Sequence, residues 1–125
     1  MNARTFLPIA AVLYFGFGVG LLLVPILFMS TYGVALDSGG VLMARILGAA
    51  LIGFAILFWR VRNLAPSPAL QALFLASFVY NLLDLPIVTI ATITGVMAAL
   101  GWSAVGLHVF LAAGFGYLSF KRVDS

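Results

Sequence analysis

PALQALFLASFVYNLLDLPIVTIAT, residues 68–92, carries a single charged side chain, Asp84, in an otherwise uncharged run. Ser67 before it can cap a helix, and Pro68 suits a first helical turn, where its missing N–H is no loss. At about 1.5 Å per residue such a helix crosses a hydrocarbon core of about 30 Å. A carboxylate, the Asn81 carboxamide and a helix-disturbing Pro86 are all unfavourable in hydrocarbon. They are expected to pair inside the protein or to line a wet cavity. The run reads as a membrane helix with one polar stripe, because Ser77, Asn81 and Asp84 follow i, i+4, i+7 spacing.

The rest of the chain agrees with that reading. Of its 125 residues, 65% are hydrophobic and 7% charged, and the mean hydropathy is +1.26. Soluble domains carry roughly a quarter charged residues, so this chain lacks the charge to cover a soluble surface. Lipid is its solvent. Three further apolar runs flank the first: about Phe6–Met29, Val41–Trp59 and Trp102–Phe120. The expected architecture is all-α, a four-transmembrane-helix bundle forming one integral membrane domain over residues 1–125. The first run exceeds the apolar core of about 7–15 residues found in a signal peptide, and Gly33-Val34-Ala35 is a weak cleavage candidate. It is read as a retained helix.

Small residues mark the expected helix contacts. Gly16-x-x-x-Gly20 in helix 1 and Ala44, Gly48, Ala49 and Gly53 in helix 2 are patterns that allow close approach. The same patterns, with Ala112 and Gly116 in helix 4, also suit a homo-oligomer or a place in a larger membrane complex. Pro25 lies near the far end of helix 1, where a break is tolerable.

The net charge of +3 and pI near 9.8 do not indicate nucleic acid, since the six basic residues flank apolar runs instead of forming a patch. Arg4, Arg60, Arg62, Lys121 and Arg122 fall on one side of a four-span topology and only Arg45 near the other. That bias places both termini in the cytoplasm, and the inner membrane of a bacterium is the expected location.

Counting depth assembles a polar cluster. Asp84 lies about 24 Å from the cytoplasmic side, Asn81 about 20 Å and His108 about 21 Å. Arg45, four residues into its helix from the other face, also falls at about 24 Å. Arg45, Tyr80, Asn81, Asp84 and His108 are thus the candidate site. One arrangement pairs Arg45 with Asp84; in another Arg45 reaches out to the interface and Asp84 is protonated. Pro86 cannot donate to the Leu82 carbonyl, so a bend is expected beside Asp84. Three roles stay open for the cluster: packing the helices, lining a pocket for a small amphiphile, or passing protons.

Several chemistries find no support. Cys is absent and His108 is the sole histidine, so neither a disulfide nor a protein-built metal site is expected. A haem held by His108 alone has no supporting feature, and no other cofactor is expected. Ser77 and Asp84 share one helix without an oxyanion-hole signature, which argues against a hydrolase triad. The glycines lie in apolar helices, not in phosphate-binding loops. A non-enzymatic role is expected first; the third reading, an intramembrane enzyme acting on a lipid or quinone, would need Asp84 and His108 as its acid/base pair.

Tyr32-Gly33, Asp37, Gly39-Gly40 and then A-R-I-L-G-A-A-L-I-G from Ala44 to Gly53, ending in Trp59-Arg60, have a recognisable cadence. With Gly101-Trp102 and the closing G-F-G-Y-L, the chain resembles small bacterial four-helix membrane proteins and looks like the DoxX-like membrane proteins. The resemblance implies a four-span fold in a bacterial inner membrane and brings no established activity. Helix 1 lacks the acidic residue of small multidrug transporters. The charge bias likewise departs from the dual-topology fluoride channels. The expected function is binding of a small amphiphile or lipid-like ligand, or service as an accessory subunit of a membrane assembly. The alternative is a small proton-coupled transporter or channel using Asp84 and His108.

Overall fold

A computed structural model describes residues 1–121; the tail residues Arg122 and Asp124 lie outside the described residues. The described residues form five helices: α1 (Ala3–Leu23), α2 (Pro25–Ser30), α3 (Ser38–Val61), α4 (Pro68–Ile93) and α5 (Gly101–Phe120). Four of them are long and apolar enough to cross a membrane. The protein is an all-α, four-helix integral membrane bundle. Its outward surface fits lipid as solvent: Ile46, Ile56, Leu83, Ile87 and Ile90 are among many large apolar side chains more than half exposed. Apolar exposure on that scale is untenable in water.

Helix starts follow local chemistry. The Ser67 side chain accepts from the Leu70 amide at 3.2 Å, with Pro68 in the first turn. Asp37 likewise accepts from the Gly40 amide at 2.7 Å to start α3, and Asn2 caps α1. The expected single first helix is in fact two. Pro25 removes an N–H and pushes the residue before it out of helical space. Val24 accordingly takes φ −133° and ψ 54°, and α2 begins at Pro25. Pro86 has the milder outcome: α4 continues through it to Ile93.

The bundle is two closely packed pairs, α1 with α3 and α4 with α5, while α1 touches α5 only lightly. Gly18 and Gly48 allow the first pair to meet backbone to backbone. A Cβ on Gly48 would lie 2.6 Å from the Gly18 carbonyl oxygen and 2.7 Å from the Leu22 nitrogen. This corrects the expected role of Gly16, which faces open space, as does Gly53, while Gly20 makes room for the Phe28 ring. Only Ala44 and Gly48 of the proposed thin face of α3 are buried; Ala49 is exposed.

The end of the bundle that holds Asn2, the 62–67 loop and Phe120 is termed the base here; the end with α2 and the 94–100 loop is the cap. Rings fill the base. Phe6, Leu7, Phe58 and Phe115 have no exposed surface, and Phe115 meets Phe6 edge-on at 4.9 Å and Phe58 at 5.0 Å. Gly114 leaves the space that the Phe6 ring occupies. At the cap, the two loops are tied by the Ala98 amide donating to the Tyr32 carbonyl at 2.7 Å. Gly33, at φ +75°, adopts a backbone that other residues resist and lies against Ala98.

Candidate functional site

Asn81 is the centre of the site. It has no exposed surface and sits mid-helix on α4, facing α1 and α5. Its Nδ2 donates to the Ser77 carbonyl at 2.9 Å and to the Tyr14 hydroxyl at 2.9 Å. A carbonyl can only accept, so that atom must be the amide nitrogen, and Oδ1 must point the other way. Oδ1 lies 3.0 Å from His108 Nδ1. His108 Nδ1 therefore carries a proton and donates to it. Three helices are thereby joined through one carboxamide.

The consequence passes along the imidazole. With Nδ1 protonated, Nε2 of a neutral His108 is an acceptor. It faces Asp84 Oδ2 across 3.8 Å. A neutral imidazole and a carboxylate thus present two acceptors to one gap, and a donor placed there would serve both. Tyr80 packs beside them, its ring 6.5 Å from His108 and 6.3 Å from Tyr14.

These groups form the polar floor of a cavity of about 250 Å³. Leu13, Leu47, Leu51 and Leu107 supply apolar wall, and Phe28, Tyr32 and Met97 close it on the cap side. Pro25 matters here, because the break it forces folds α2 over the space. A smaller cavity of about 110 Å³ shares Tyr14, Leu47, Leu51 and Tyr80 and extends between α3 and α4 towards Phe54 and Ala76. Backbone packing between α3 and α4 is sparse, and this smaller cavity lies along that seam.

Of the five residues expected at the site, Tyr80, Asn81, Asp84 and His108 are brought together and Arg45 is not. Arg45 is exposed on α3, and the His108 contact is the one ion-pair approach to a carboxylate among the described residues. The expected Arg45–Asp84 pair is corrected for a simple reason. Depth along the membrane fixes height but not azimuth, and α3 turns Ala44, Gly48 and Leu51 inward, leaving Arg45 about 100° round from Ala44. Ser77 contributes its carbonyl to the site, while its hydroxyl bonds back to the Leu73 carbonyl at 2.9 Å.

Tyr14 is the residue that sequence reasoning missed. A signal existed: it stands about 17 Å along α1 from Ala3, close to the height of Asn81. Tyrosine in an apolar helix passes for packing, and its hydroxyl becomes informative only when Asn81 is seen against it. Asp84 and His108 are the two side chains of metal-binding type in the cavity, fewer than a protein-built site needs.

Fold and site together define a class: a four-helix integral membrane protein with a polar-floored cavity among its helices. Comparison of the chain with family models, curated proteins and solved structures gives no match.

Proposed function

We propose that this protein is a non-enzymatic membrane protein that binds a small amphiphile in the cavity between its helix pairs. The observation that carries the reading is the contrast within the cavity: apolar walls and roof over a floor of fixed hydrogen-bonding groups. Ligand sites combine apolar walls with a few convergent polar groups in this way. The ligand's apolar part would lie against Leu47, Leu51 and Leu107, and its polar end at Asp84 and His108. Access would run from the bilayer through the α3–α4 seam. Arg4, Arg60, Arg62 and Lys121 favour a cytoplasmic base, and the resemblance to DoxX-like proteins favours a bacterial inner membrane.

Ala104 lines the cavity without belonging to its polar floor, so Ala104→Phe should fill the space and leave Asn81 and His108 bonded. Native mass spectra from nanodiscs should show a small molecule retained by the parent and lost from Ala104→Phe. A parent that carries nothing, or a variant that carries the same molecule, would count against the reading. Proton-coupled transport is the second reading, favoured by the 3.8 Å approach of Asp84 and His108. It requires pH-dependent flux in proteoliposomes that Asp84→Asn removes.

A further inference from the structure

We infer that the cavity selects a lipophilic organic monocation, with Asp84 as its counter-charge; this rests on the cavity being a ligand site. Once Arg45 is absent from the site, no arginine or lysine lines the cavity, and Asp84 is its one acidic residue. A carboxylate held within a bilayer needs a partner, because an isolated charge there is strongly disfavoured. Within the protein the available charged partner is a protonated His108, 3.8 Å away; the Tyr80 hydroxyl beside Asp84 is a neutral donor. With His108 neutral, Nε2 and the carboxylate are two acceptors facing one gap, and a cation relieves both.

The walls support the same class. Tyr14, Phe17, Phe28, Tyr32 and Tyr80 all line the space, and successive rings are neighbours: Phe17 and Phe28 at 5.3 Å, Phe28 and Tyr32 at 5.9 Å. Ring faces attract cations, most strongly where water is excluded. An anion would meet Asp84 with no basic side chain to offset it. A neutral molecule would gain the apolar walls and leave the carboxylate without a counter-charge. Aromatic rings beside a lone carboxylate therefore point to a protonated amine or quaternary ammonium bearing an apolar body.

The groups facing Asp84 set a pH dependence. They are His108 from α5, Tyr80 from its own helix and Tyr14 from α1, while α3 contributes Leu47 and Leu51, which do not titrate. A proton on His108 puts a positive charge beside Asp84 and takes the place of the cation, so affinity for a permanently charged ligand should fall as His108 is protonated.

Three isosteres test this in nanodiscs: benzyltrimethylammonium (cation), neopentylbenzene (neutral) and phenylmethanesulfonate (anion). The chain's one histidine, labelled with carbon-13, gives a ring signal local to the site, and empty nanodiscs correct for partition. The cation should shift the His108 signal with an affinity at least about tenfold above the neutral isostere, the anion should leave it unmoved, and Asp84→Asn should abolish the preference. Asp84→Glu should keep it. Should the Asn variant fail to fold, the order of the three ligands on the parent decides alone. Equal affinity for the neutral isostere would overturn the cation inference and leave amphiphile binding standing. No shift with any of the three would overturn both.

Discussion

The base and the cap half of the bundle are built from the same four long helices and solve opposite problems. At the base, Phe6, Phe58 and Phe115 fill the centre completely, with Leu7 and Ala10 also at zero exposure. In the cap half, the centre is held by Tyr14, Asn81 and His108 around about 250 Å³ of space. Lipid tails are as apolar as leucine, so membrane helices gain nothing from hiding apolar surface alone and associate through packing and hydrogen bonds. The base uses packing. The cap half uses directed bonds, which fix helix spacing without filling the space between them. A cavity can persist there because its edges are held by hydrogen bonds and its roof by the α2 turn.

That contrast can be broken first at the base. Phe115→Ala removes a ring touching Phe6, Phe58 and Phe74 and should destabilise by about 3–5 kcal/mol, read by reversible unfolding in mixed micelles. A loss below about 1 kcal/mol would mean the base is not the principal brace. Next in size is Gly48→Val. Its Cβ would press on backbone at Gly18 and Leu22, which cannot yield like a flexible side chain, so a loss of about 1–3 kcal/mol is expected. Gly53→Ala, which meets nothing within 4 Å, should change stability by less than about 0.5 kcal/mol.

The cap half should respond more weakly in stability and more strongly in binding. Tyr14→Phe removes one hydrogen bond and should lower stability by about 0.6 kcal/mol, the average for such bonds between membrane helices. Combined with Asn81→Leu in a double-mutant cycle, the pair should show coupling; independent effects would mean that the 2.9 Å contact contributes nothing. Arg45→Leu, like Gly53→Ala, should leave stability unchanged to within about 0.5 kcal/mol, and it should leave cavity binding unchanged as well. A loss of binding with Arg45→Leu would restore the arginine to the site and remove the basis for cation selectivity.

Much of this molecule was legible in one dimension. Ser67-Pro68 gave the start of α4 to the residue, the apolar run lengths gave four spans, and helical spacing put Asn81 and Asp84 on one stripe. Depth counting correctly brought His108 to the level of Asn81. The same counting gives Arg45 a height but no direction, and Tyr14 reads as ordinary packing in an apolar helix. The glycine pattern misled in a similar way: Gly16 and Gly20 have the spacing of a contact, but Gly18 makes it.

What the sequence determined by itself was the solvent, the number of crossings and the height of each polar group, because these depend on composition and on the fixed rise of a helix. Azimuth belonged to the tertiary structure alone. In a soluble protein the apolar stripe of a helix reveals which way it faces, but in lipid every face is apolar and the pattern carries little directional signal. Only the packing of Gly18 on Gly48, and of Phe6 into the space at Gly114, turned the helices so that Asn81 met Tyr14 and His108 while Arg45 faced away.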